Sequence, residues 1–167
     1  MFLYLFHIWM ATILAVTPKQ TKELCSQSNT SFMIGEKITY TIFYNVIGLY
    51  VNAGTAQFTV TPTKWEGDAA FAFTATGYSN RSYDWIFKVR DKYESIVDSK
   101  TLLPYFFSRS INEGSFHQNQ TLTFNQKSNE VNTHKGESFK AADCTFDVIS
   151  AVYAVRNLDF SNLQVNE

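Results

Sequence analysis

The sequence predicts a mainly β protein. Its form is a curved antiparallel meander, an open or partial β-barrel, with one long α-helix packed on the concave face. Three observations carry this. Segments from Ile38 to Phe124 alternate apolar and polar side chains with a period of two. Gly, Pro, Asn and Asp punctuate them at short intervals, which leaves no length for helical crossovers and makes neighbouring strands antiparallel. Near the C-terminal end the period changes once, to that of a helix.

The elements follow in order. Phe2–Val16 is an almost unbroken apolar run, too short to span a bilayer comfortably and of the length of a secretory h-region. It lacks a basic n-region. On the length of the run, and despite that lack, residues 1–17 are expected to be a signal peptide, the competing reading being a buried N-terminal strand or helix. Lys22-Glu23-Leu24 before Cys25 does not suit a lipoprotein anchor. Residues 18–31 are a polar linker, and 32–167 form a single β-rich domain. Its first strand places Ile38, Tyr40, Ile42, Tyr44 and Val46 on one face. Asn45 to Val51 is a connection. The second strand turns Ala56, Phe58 and Val60 inward and is expected to end at Pro62. Glu66-Gly67-Asp68 is a turn, and Phe71, Phe73 and Ala75 alternate in a third strand.

The stretch from Tyr78 to Asp98 is dense in aromatic and charged residues. Ser82 is placed to cap a short helical turn holding Tyr83, Ile86 and Phe87, although these residues also read as alternation. Strands are expected over Arg90–Asp98, Pro104–Asn112, Phe116–Phe124 and Glu130–His134, followed by a polar loop over 135–140. Thr145–Arg156 then puts Val148, Ala151, Val152 and Val155 on one stripe. Asp143 or Thr145 is expected to cap this helix and Asn157 to stop it.

Fourteen Lys and Arg against fifteen Asp and Glu give a net charge of −1 and no basic stripe, so nucleic acid is not an expected partner. Cys25 and Cys144 either form a disulfide, which an oxidising compartment would permit, or are two buried thiols. The scattered histidines and the lack of a Cys-x-x-Cys give no metal site, and no glycine-rich loop suggests a cofactor.

Phe32–Tyr44 with its Gly35-Glu36-Lys37 start, Asn52-Ala53-Gly54, Ser82–Ser95, Leu102-Leu103-Pro104, and Asp147–Tyr153 with Arg156–Phe160 occur in that order. Together they make the chain resemble the bacterial family called domain of unknown function 3108, in the version common in Bacteroidetes. Members usually continue with further strands, so the resemblance implies a C-terminally shortened chain lacking its last strands. It also implies an exported β-rich protein of the periplasm or outer cell envelope. It brings no established activity.

Asp84, Asp91 and Glu94 are the weak catalytic candidates, as paired carboxylates for acid–base work on a cell-envelope glycan. The competing reading is an ion-pair network pinning a turn. Tyr83, Trp85, Phe87, Arg90, Tyr93 and Arg109 are the ligand-binding candidates. The aromatics would serve as a stacking platform or lipid-facing lip, and Arg109 as an anion clamp or as the partner of an acid such as Glu94. The leading expectation is a non-catalytic envelope protein holding an apolar or lipid-like molecule between sheet and helix. A glycan enzyme and a structural or assembly module are the alternatives.

Overall fold

The computed structural model describes Cys25, residues 28–46 and residues 48–159. Eight strands form one antiparallel sheet in sequential order. They are β1 (Lys37–Val46), β2 (Leu49–Trp65), β3 (Asp68–Ser79), β4 (Arg90–Asp98), β5 (Pro104–Glu113), β6 (Phe116–Asn125), β7 (Glu130–Thr133) and β8 (Ser138–Lys140). Each pairs with its neighbours in the chain and β1 does not meet β8, so the sheet is curved and open. A single helix, α1 (Val148–Val155), packs against β3 and β4. The apolar run Phe2–Val16, and most of the linker, lie outside the described residues.

Register defines an inner face. One row of paired residues crosses the sheet as Val60, Phe73, Ser95, Phe107 and Leu122. Val60, Phe73, Ser95 and Phe107 are buried, and Leu122 packs against the same core. Over this row lies α1. The Tyr153 ring stacks on Phe73 with centroids 3.9 Å apart, and Phe32 meets both edge-on. Each such side chain contributes about 1.5–3 kcal/mol by leaving water. The expected hollow between helix and sheet is therefore filled by these rings.

The helix is also shorter than its periodicity suggests. Asp147, rather than Asp143 or Thr145, is the N-cap: its Oδ1 accepts from the Ile149 and Ser150 N–H groups at 2.9 and 3.0 Å. Upstream, the Thr145 hydroxyl donates to the Ala142 carbonyl, and Cys144 has φ 59°, so the chain there is committed to a turn. Cys144 is bonded to Cys25. At the other end the helix stops at Val155 with Arg156, rather than Asn157, as its C-cap, and Arg156 forms a two-pronged ion pair with Glu36 at 2.6 and 2.9 Å. That pair ties the helix end to the approach of β1.

A buried polar contact seats the helix start. Ser95 donates to the second oxygen of Asp147 at 2.6 Å, and the Ser150 hydroxyl lies 2.9 Å from the same oxygen. Burial pushes the Asp147 carboxyl above the usual range, while its hydrogen bonds pull it back.

Other boundaries differ for local reasons. β2 runs on past Pro62 to Trp65, because β1 pairs only as far as Thr59 and the missing N–H falls on an open edge. It also starts earlier, at Leu49, with a bulge between Ile42 and Phe43 that leaves Ala53 unpaired to β1. Gly54 sits there against the Tyr78 carbonyl, 2.5 Å from where a Cβ would lie. Ser138–Lys140 pairs with β7 as an edge strand inside the expected polar loop. Tyr40, Ile42 and Tyr44 of β1 remain exposed, Tyr40 at 55 %, and the helix packs chiefly on β3 and β4.

Candidate functional site

Below the buried row a second row crosses the inner face: Phe58, Ala75, Tyr93, Arg109 and Gln120. Tyr93 packs beside Phe107, with centroids 6.4 Å apart. Burial pushes the Tyr93 hydroxyl up, Asp91 adds to that, and the Arg109 charge opposes it. Arg109 is thus a cation on the core side of the sheet. Its Nε is buried with no hydrogen-bond partner, and no carboxylate among the described residues lies within ion-pair distance of its guanidinium. The expected pairing with Glu94 does not form. Glu94 stands opposite Ser108 on the outer face and holds Lys92 at 3.0 Å. Adjacent strand positions point to opposite faces, so the partner of Tyr93 and the partner of Ser108 cannot meet.

A third row continues with Tyr40, Ala56, Gly77 and Asp91, and with Ile111 opposite Gln118. Ala56, Gly77, Asp91, Ile111 and Tyr40 all retain exposure. The inner face is therefore closed by α1 at one end and open at the other, with Tyr93 and Arg109 at the boundary.

Of the other four ligand candidates, Tyr83, Trp85 and Phe87 belong to the β3–β4 connection and Arg90 opens β4. Asn80, rather than Ser82, caps its 3-10 turn over Arg81–Tyr83 and accepts from the Ser82 N–H at 3.1 Å. Ser79 organises the base of the loop. Its hydroxyl donates to Asp84 at 2.5 Å and accepts from the Val89 N–H at 2.9 Å. Arg90 reaches both oxygens of Asp84, at 3.3 and 2.5 Å. The Ser79 hydrogen bond and then Arg90 hold the Asp84 carboxyl below its usual range. Arg90 is consequently a strut of the loop. Tyr83, Trp85 and Phe87 are exposed, Trp85 at 82 %, and the Phe87 ring lies over Gly114, whose φ is 58°. These aromatics sit at the rim, away from the row that holds Tyr93 and Arg109.

The three carboxylates do not assemble into a catalytic pair. Asp84 is held by Arg90, Glu94 by Lys92, and Asp91 accepts from the Asn112 N–H at 2.8 Å. Asp91 and Glu94, three apart on one strand, face opposite sides. A glycosidase needs two carboxyls about 5–10 Å apart across one cleft. Ser150 is fully buried and bonded to Asp147, so no substrate reaches it. Among the described residues there is no group of three or more His, Cys, Asp and Glu suited to a metal.

The outer face carries a wide groove of about 720 Å³ lined by Asn52, Thr55, Thr76, Tyr78, Arg81 and Lys92. Sequence reasoning missed Tyr78, Ser79 and Arg81 as a set, because only the β3–β4 pairing brings them beside Lys92. No helix among the described residues is long and apolar enough to cross a membrane.

Residues 39–167 match the family model described as "Protein of unknown function (DUF3108)". No curated protein and no solved structure matches the chain.

Proposed function

The chain belongs to that family of proteins of unknown function, and from this premise we propose that it is a non-catalytic protein of the cell envelope. It binds an anionic amphiphile on the open half of its inner face. The acyl part lies along Tyr40, Ala56, Gly77 and Ile111, and the acid group meets Arg109 beside Tyr93. The observation that carries this is Arg109: a guanidinium on the core side of a sheet, with a buried Nε and no carboxylate partner among the described residues. Unpaired buried donors cost about 1–3 kcal/mol, more when charged, so an incoming carboxylate or phosphate is strongly favoured there. The open half carries Asp91 in the same row, and the charges of Asp91 and Glu113 both reach Tyr93, so the acid group is received by Arg109 at the helix-side end, while the acyl part lies along Tyr40, Ala56, Gly77 and Ile111. Export is supported by the Phe2–Val16 run and by the Cys25–Cys144 bond.

The test is binding of a fluorescent fatty acid, with its alcohol analogue as control. Replacing Arg109 by Leu should weaken the acid roughly 10–100-fold and leave the alcohol nearly unchanged. Failure to bind the acid at all, or equal binding by Arg109→Leu, would refute the reading.

A further inference from the structure

The antiparallel order sends the connections to alternating ends of the sheet. The β1–β2, β3–β4, β5–β6 and β7–β8 connections share one end; the first three expose Leu49, Tyr50, Trp85, Ile86, Phe87 and Phe116, and the fourth, at the sheet edge, is the polar turn His134–Glu137. The opposite end carries Glu66-Gly67, Ser99-Lys100 and Gln126–Asn129. Monomeric surfaces seldom expose three consecutive large apolar residues such as Trp85-Ile86-Phe87 without use.

The loop that presents them satisfies several of its own donors. The Trp85 indole N–H donates to the Ser82 carbonyl at 3.0 Å. The backbone N–H groups of Tyr83, Asp84, Ile86 and Phe87 donate to carbonyls within the same loop. Its base is pinned by the Gly114 N–H to the Lys88 carbonyl and by Asn80 to Ala53. These bonds lower the cost of bringing the side chains to an interface, while the Trp85 backbone N–H and the carbonyls of Trp85 and Ile86, which have no partner among these bonds, stay hydrated at headgroup depth. Arg81 and Lys88 flank the aromatics, and neither lies within ion-pair distance of a carboxylate among the described residues. Tryptophan and tyrosine at headgroup depth with flanking cations are the signature of an interfacial anchor.

We infer that this rim docks on the surface of a phospholipid bilayer, with Trp85 and Ile86 inserted to the headgroup–acyl boundary and Arg81 and Lys88 on the phosphates. The inference stands whether or not Arg109 binds a ligand, because it rests on the rim alone.

The test uses the full chain with Trp9 and Trp65 replaced by Phe, leaving Trp85 as the sole indole. Vesicles are phosphatidylcholine, with and without phosphatidylglycerol, carrying brominated acyl chains. The expected result is a blue shift and bromine quenching of Trp85, at lower lipid concentration when phosphatidylglycerol is present. In the same background Ile86→Asp should raise the lipid needed for half-quenching roughly tenfold or more, with the far-ultraviolet spectrum unchanged. Trp85 remaining aqueous while the protein sediments with vesicles, held by the Phe2–Val16 run, would overturn the inference. So would a blue shift that follows protein concentration without lipid, which would mark a self-association surface.

Discussion

Loss of the Cys25–Cys144 bond should lower stability by about 3.7 kcal/mol. The two cysteines are 119 residues apart. Closing a loop of that length restricts the unfolded chain by about 4.9 kcal/mol in the chain-entropy model. Part of this is returned in the native state. Asn29 is anchored by its own turn to Phe32, and Thr30 and Ser31 donate to Asn157, so the stretch of chain between Cys25 and the first of these anchors is short. Freeing a tether that short recovers about 1.2 kcal/mol, leaving the figure above. The assay is urea unfolding of the oxidised protein against the Cys25→Ser, Cys144→Ser double variant. With a slope near 2 kcal/mol per molar, the midpoint should fall by about 2 M. Alkylation should label both thiols only after reduction. Labelling without reductant would show that the bond does not form. An intact bond whose removal shifts the midpoint by less than about 0.5 M would refute the loop-closure reasoning and place the effect in residual structure of the unfolded chain.

Two further outcomes are expected. Asp147→Asn keeps the cap and removes a buried charge. The folded Asp147 titrates above its unfolded value of 3.8. Its contribution is therefore fully present below that value and is lost as pH rises through the folded one. The variant should gain on the native protein as pH rises through that window, and parallel pH–stability curves would contradict this. Tyr153→Phe removes a buried hydroxyl that has no hydrogen-bond partner among the described residues, while leaving the stack on Phe73. It should raise stability by about 0.5–1 kcal/mol in the same urea assay, and a loss of that size would mean the hydroxyl is paired.

Much of the architecture was legible because a strand writes its burial into every second residue. Val60, Phe73, Phe107 and Leu122 were each in phase before any pairing was known. Pro62 misled because the sequence does not say which edge of β2 lies open, and only an open edge tolerates the missing N–H. The helix was over-extended because Thr145 and Phe146 continue its period, while the turn at Cys144 and the capping by Asp147 decide where it begins. At the candidate site the residue types were readable and their grouping was not. Arg109 and Glu94 look like partners in a list of charges. A single register shift would have put them on one face, and the observed register separates them.

A mainly β chain with one C-terminal helix follows from the residues alone, since side-chain periodicity is a local property of the backbone. The residues also include, without ordering them, an arginine among aromatics and a run of exposed-type apolar residues. That α1 fills one half of the inner face and leaves the other half open is a matter of long-range packing. The tertiary structure alone gathers Leu49, Trp85 and Phe116 at one end, because proximity of residues far apart in the chain depends on strand register and on which end each connection occupies.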